Sequence, residues 1–355
     1  MPGAGGDRAS CGTAGGPGTD RRLPGVIDPT ILDAAKSAAR AASRACLGVL
    51  AEAPETPDAM AKLGKEPVTV ADYAAQAVIL EVVSTAFPDH GVVAEEGAEH
   101  FATHAGDEAA AQVVRLVGEA VGRDVTLDEV LEWIGHTGGS DRITWAIDPI
   151  DGTKGFLRRD QFAVAIGVLV DGVPAAGVLG CPHFPVDPSD PAGERGVLFW
   201  GVVGDGAYAE ALSGGPARAI AVSTVAEAAG VRVLGSVESA HGDPALVTAV
   251  IEHAGLGGDM VRIDSQVKYG AVADGLAEVY LRPRNRPDYR ERIWDHAAGT
   301  AVVSAAGGMV TDLDGRPLDF TLGARLEHNR GVLASNGRAH GLVLEALAEV
   351  ESGER

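Results

Sequence analysis

Between residues 30 and 53 the apolar positions recur as Ile31, Ala34, Ala35, Ala38, Ala42, Ala45, Cys46, Val49 and Leu50. That three-and-four spacing predicts a helix with one apolar face. Residues 55–66 (ETPDAMAKLGKE) break the period and read as a polar connection. A second helix is expected from about Thr69, which can cap it, with Asp72 as the reciprocal capping-box partner. Its apolar face would be Ala74, Ala77, Val78, Leu80, Val82 and the aliphatic stem of Glu81, and Phe87-Pro88-Asp89 would end it. Residues 108–134 look helical and polar, like an insertion capping two more apolar regions. TWAID then predicts a short strand. Residues 162–170 and 173–180 read as a hairpin about Asp171-Gly172, and 197–203 with 206–209 as another about Gly204-Asp205.

Further along, strand and helix alternate. VRVLGSV precedes a helix over 243–254, MVRID a helix over 265–275, and AEVYL a helix over 295–306. Alternation of this kind predicts an α/β layer. The chain therefore divides into a tail at 1–24 expected to be disordered, an α+β domain over 25–215 and an α/β domain over 216–355.

Composition changes this picture little. Hydrophobic residues make up 46% and charged residues 22% of the 355, as in ordinary soluble globular chains. The formal net charge of −21 argues against a nucleic-acid polymer as the main partner, because its phosphates would be repelled. Cys11, Cys46 and Cys181 form no CxxC pair, and reduced thiols with a cytoplasmic setting are the expectation. No apolar run reads as long enough for a membrane span, and no membrane partner is expected.

Candidate chemistry begins at Asp148-Pro149-Ile150-Asp151-Gly152-Thr153. Trp145, Ala146 and Ile147 deliver two carboxylates into a tight turn, stiffened by Pro149 and opened to close backbone approach by Gly152. Such carboxylates repel unless a cation lies between them, and magnesium favours hard oxygen ligands, to which the Ile150 carbonyl could add. Gly152 and Thr153 could then offer N–H groups to a phosphate. Taken alone, DPID is equally a common surface turn. Glu95-Glu96 follows the apolar segment Gly91-Val92-Val93, and Asp295 opens a run of small helical residues; alone, one reads as solvated charge and the other as a helix cap. His296 reads as a packing residue. Ser265 and Lys268 lie a turn apart at an expected helix start, with Arg282 after AEVYL, an arrangement that suits a phosphate. GxSxG, GxxxxGK[ST], HExxH and a strand-to-helix GxGxxG are all missing, which removes the common esterase, kinase, zincin and dinucleotide readings.

Together these stretches resemble the lithium-sensitive, magnesium-dependent inositol monophosphatase superfamily, and within it the 3'(2'),5'-bisphosphate nucleotidases. The matching segments are PVTVADYAAQ (67–76), VVAEEG (92–97), WAIDPIDGTKGFLRRDQFAVAIGVLVDG (145–172), IDSQVKYG (263–270), VYLR (279–282), IWDHAAG (293–299) and GVLASNG (331–337). The resemblance implies a layered α-β-α-β-α sandwich with its site between the two halves. It implies two or three magnesium ions on Glu95, Asp148, Asp151, Asp295 and the Ile150 carbonyl. Thr153 would orient the attacking water, Ser265, Lys268 and Arg282 would hold the phosphate that is not cleaved, and His241 would lie near the adenine. The implied reaction is in-line hydrolysis of a phosphomonoester, with 3'-phosphoadenosine 5'-phosphate giving AMP and phosphate. One departure stands out: Gly64, in KLGKEP, occupies the place of an aspartate in the nucleotidases. It keeps two alternatives open, a phosphatase acting on inositol phosphates or on a 2'- or 3'-phosphorylated nucleoside, and a catalytically weakened nucleotide-binding regulator.

Overall fold

The computed structural model describes residues 27–53, 66–237, 242–258, 260–284, 286 and 288–353. The expected tail, most of the 55–66 connection with Gly64, and His241 lie outside them.

Helix α1 (Pro29–Glu52) is capped by Asp28, whose carboxylate accepts from the Thr30 amide; it buries Ala35, Ala38, Ala42, Cys46 and Val49 as its spacing predicts and Ala39 besides, while Ala34 is half-buried. Helix α2 (Glu66–Ala86) begins before Thr69, so Thr69 and Asp72 sit inside the helix rather than at its cap. Every residue from Val70 to Leu80 is buried, Asp72 and Gln76 included. A helix apolar on all sides must be enclosed. By length and composition alone α2 could cross a membrane, contrary to the sequence expectation, but it is packed within the fold among α1, the strand of 140–151 and the helices of 107–134.

β1 (His90–Ala94) is followed by α3 (Ala98–His104), α4 (Asp107–Val121) and α5 (Leu127–Ile134). The stretch expected to be helical is made of two helices, α4 and α5. They pack on α1 and α2 through Ala109, Val113, Leu116, Val117 and Val130. They also supply the crossover that a parallel β1–β2 pair requires. β2 (Ser140–Asp151) is far longer than TWAID and runs through both aspartates. After the short α6 (Thr153–Leu157) come β3 (Ala163–Val170), β4 (Val173–Pro185), β5 (Arg195–Val202), β6 (Gly206–Ala211) and β7 (Arg218–Ile220). Both predicted hairpins are present. Among the described residues, these strands form one sheet in simple sequence order.

The second sheet has the order β11-β12-β10-β8-β9. Its strands are β8 (Val233–Gly235), β9 (Val261–Arg262), β10 (Val279–Arg282), β11 (Met309–Thr311) and β12 (Val332–Ser335), with helices α7 (Pro244–His253), α8 (Val267–Ala273), α9 (Ala297–Ala305) and α10 (His340–Ser352).

Three buried clusters define the layers. One joins α1 and α2 to one face of the first sheet through Trp145, Ile147, Val164, Ile166 and Val178. The next joins that sheet's other face to α8, α9 and the second sheet. The third covers the second sheet with α7 and α10 through Val247, Val343 and Leu347. The result is the expected α-β-α-β-α sandwich. Helix α9 is the shared middle layer. A Cβ on Gly167 would lie 2.6 Å from that of Ala297, so the helix seats directly on bare backbone of β3 and β4.

Candidate active site

A cleft of about 710 Å³ opens where β1, β2, β10 and the approach to α9 converge. Glu95, Asp148, Ile150, Asp151, Gly152, Thr153, Arg282 and Asp295 all line it. These residues come from four separate stretches of the sequence.

Local structure explains the convergence. In a regular strand, residues three apart face opposite ways. Pairing of β2 with β3 matches Asp148 to Ala165 and Asp151 to Ala163, so Pro149 and Ile150 together oppose Val164 alone. That bulge resets the alternation and turns both carboxylates to the cleft. Glu95 leaves β1 beside them, its amide donating to the Ile147 carbonyl at 3.2 Å. Gln76 on α2 clamps the next residue, with Glu96 N to Oε1 at 2.9 Å and Nε2 to the Glu96 carbonyl at 2.7 Å. Gln266 ties in the second half. Its amide donates to Asp151 Oδ2, its Nε2 donates to the Trp294 carbonyl at 2.9 Å, and its Oε1 accepts from Gly299 N at 3.3 Å. One residue therefore couples the Asp151 turn to the segment bearing Asp295. The helix after Asp295 starts at Ala297 with His296 as its cap position, so Asp295 stands free of capping.

The carboxylates disturb one another. Burial pushes Asp148 well above the usual range, and the charges of Glu95, Asp151 and Asp295 push the same way. Burial raises Asp295 likewise, with Arg282 opposing and Asp151 adding to the rise. Glu95 is pushed up to about 7, first by loss of water, while its contact with the Asp148 carboxyl pulls down. Glu95 itself remains exposed to solvent while lining the cleft. Asp72 is raised by burial and by Glu96 and Glu95. Crowded, all-oxygen and short of counter-charge, this donor set fits a hard divalent cation.

Not every expected residue is on the wall. Among the described residues, Ser265 and Lys268 lie buried behind it. Ser265 has φ +66, and a Cβ on Gly152 would come within 2.8 Å of its own Cβ. Lys268 Nζ donates to the Ile263 carbonyl at 3.0 Å and lies 5.0 Å from the centre of the Tyr280 ring. Burial brings its pKa down to about 8. Conversely, Thr69, Asp72, Tyr289 and Glu291 line the cleft without having been singled out for chemistry. The signal for Asp72 was a lone acid within an otherwise apolar run.

The inositol monophosphatase family model matches residues 29–352. A 3'(2'),5'-bisphosphate nucleotidase of Oryza sativa is 36% identical over 336 residues, covering 90% of this chain and 93% of that protein. One from Emericella nidulans is 36% identical over 321 residues, covering 82% and 90%. Among solved structures, inositol monophosphatase from Anabaena superposes with a TM-score of 0.57 at 26% identity, covering 90% of this chain and 96% of that one. Mycobacterium tuberculosis SuhB shares the fold, with a TM-score of 0.58 at 20% identity and coverage of 92% and 99%.

Proposed function

Since the chain belongs to the inositol monophosphatase family and is a phosphoric monoester hydrolase, we propose that it removes the 3'-phosphate of 3'-phosphoadenosine 5'-phosphate. The products are AMP and inorganic phosphate. The observation that carries this reading is the meeting of Glu95, Asp148, Asp151 and Asp295 on one cleft.

These four carboxylates and the Ile150 carbonyl would hold two or three magnesium ions. When bound, magnesium supplies Lewis-acid polarisation of phosphoryl oxygens and a lowered pKa for coordinated water. The protein's part is placement. Thr153 orients the water that attacks phosphorus, in line with the departing 3'-oxygen; the water oxygen forms the new P–O bond as the old one breaks, and a proton given up by that water ends on the leaving 3'-oxygen. The Gln266 amide fixes the Asp151 carboxylate. Gly152 and Thr153 turn N–H groups to the phosphate being cleaved. Arg282 receives the other phosphate, with Ser265 and Lys268 contributing from behind the wall. The same proposal includes lithium sensitivity and a cytoplasmic setting, where the buried free thiols Cys46 and Cys181 stay reduced.

A substrate panel tests the reading. Phosphate release is measured with magnesium on adenosine 3',5'-bisphosphate, adenosine 3'-monophosphate and inositol monophosphate, with and without EDTA. The bisphosphate should lead in kcat/KM by at least about tenfold, a difference near 1.4 kcal/mol in barrier, and EDTA should abolish turnover. Undiminished release in EDTA removes the metal, and preference for inositol monophosphate replaces the substrate.

A further inference from the structure

Glu291 is buried, at 3% exposure, yet its carboxylate reaches the cleft. Its Oε2 lies 2.9 Å from Arg282 Nη2 and 3.2 Å from His296 Nε2. Arg282 Nη2 is also 3.5 Å from Asp295 Oδ2. On the far side, His296 Nδ1 lies 2.7 Å from Tyr269 Oη. An ionised carboxylate only accepts, so His296 Nε2 carries its proton toward Glu291, and the bare Nδ1 accepts from the tyrosine hydroxyl. The donors thus run in one direction, Tyr269 to His296 to Glu291, and Arg282 donates to the same carboxylate from the cleft side.

The three partners of Glu291 are placed by regular elements. Tyr269 is on α8, His296 at the start of α9 and Arg282 at the end of β10. The ligand atoms of Glu291, Asp295 and His296 lie within 4.8 Å of one another, close enough for a metal. The cation actually between Glu291 and Asp295 is the Arg282 guanidinium. Tyr280 and Tyr289 hydrogen-bond to it as well. Without Glu291, the nearest carboxylate for this guanidinium would be Asp295.

We propose that Glu291, backed by His296 and Tyr269, is a positioning residue that aims Arg282 at the uncleaved phosphate and holds it away from Asp295. The proposal rests on reading the cleft as a nucleoside bisphosphate site. Glu291→Gln keeps the shape and removes the charge, so Arg282 is drawn to Asp295 and away from the substrate.

The test compares wild type and Glu291→Gln on adenosine 3',5'-bisphosphate and adenosine 3'-monophosphate, reading KM and kcat separately. In parallel, calorimetry follows adenosine 3',5'-bisphosphate binding with calcium in place of magnesium. The variant should lose at least ten times more kcat/KM on the bisphosphate than on the monophosphate, mainly through KM, and its calorimetric Kd should rise about tenfold or more. Tyr269→Phe, which removes only the far donor, should move the same ratio in the same direction by less. Equal losses on both substrates, or an unchanged Kd, overturn the positioning role. A wild type that binds the bisphosphate without hydrolysing it sinks the proposed substrate reaction and leaves the Kd comparison to decide Glu291. A wild type that does not bind it overturns the nucleoside bisphosphate reading and the positioning role with it.

Discussion

Asp148 sits where three other carboxylates press on it; its Oδ1 accepts the Ile150 amide at 3.1 Å, and its carboxyl also meets that of Glu95. Asparagine keeps that acceptor and removes the charge. Asp148→Asn should therefore relieve on the order of 1 kcal/mol of repulsion in chelator-treated protein and raise its Tm, by about 2 °C. The same change should abolish the Tm rise that magnesium gives the wild type. A variant that still gains stability from magnesium would separate Asp148 from the cation site. Carboxylates of this kind read alone as a surface turn (DPID) or solvated charge (EEG after GVVA), and became legible only because these local motifs together resemble one family. Gln76, Gln266 and Glu291 were not. Their importance lies in which distant backbone or side chain they reach, and neither spacing nor residue type encodes that.

Two elements, the bulged β2 and helix α9, place the chemistry. Helix α9 brings Asp295 to the cleft by lying on β3 and β4, and a Cβ at Gly177 would overlap the Ala298 carbonyl. Gly177→Ala should cost about 1–3 kcal/mol through overpacking. It should also weaken magnesium binding measured by calorimetry, because the helix that follows Asp295 is pushed off the sheet. Unchanged magnesium affinity alongside the lost stability would show that α9 does not set the site. Periodicity located α1, the two hairpins and the strand–helix alternation well. It misplaced the start of α2 because VTVAD looks like a cap when read locally, while the helix is enclosed and its Thr69 and Asp72 line the cleft. It shortened β2 because a bulge breaks the alternation on which strand detection depends.

Across the whole molecule, acid should act through His340 as well as through the carboxylates. Its imidazole bridges Ser335 Oγ at 2.8 Å and Thr311 Oγ1 at 2.9 Å, pinning α10 to β12 and β11. Burial lowers its pKa to about 4, against about 6.5 in an unfolded chain. Between those values the unfolded state binds the extra proton, so stability falls as pH drops from about 6.5 toward 4. Urea midpoints at pH 7 and pH 5 should differ more for the wild type than for His340→Gln; equal differences would clear this residue of the acid sensitivity. The five-layer order followed from the resemblance of the motifs, whereas the stacking of α9 between two sheets became visible only with both sheets assembled.

That stacking also orders events in time. The first sheet is complete at Ile220, but the helices that cover its second face start only at Val267 and Ala297. On a ribosome adding about 5–20 residues per second, the apolar face carrying Ala165, Leu179 and Phe199 stays bare for several seconds after its strands have emerged. The nascent chain then has most need of a chaperone, and the cleft cannot exist in any form before the last third of the protein has been made.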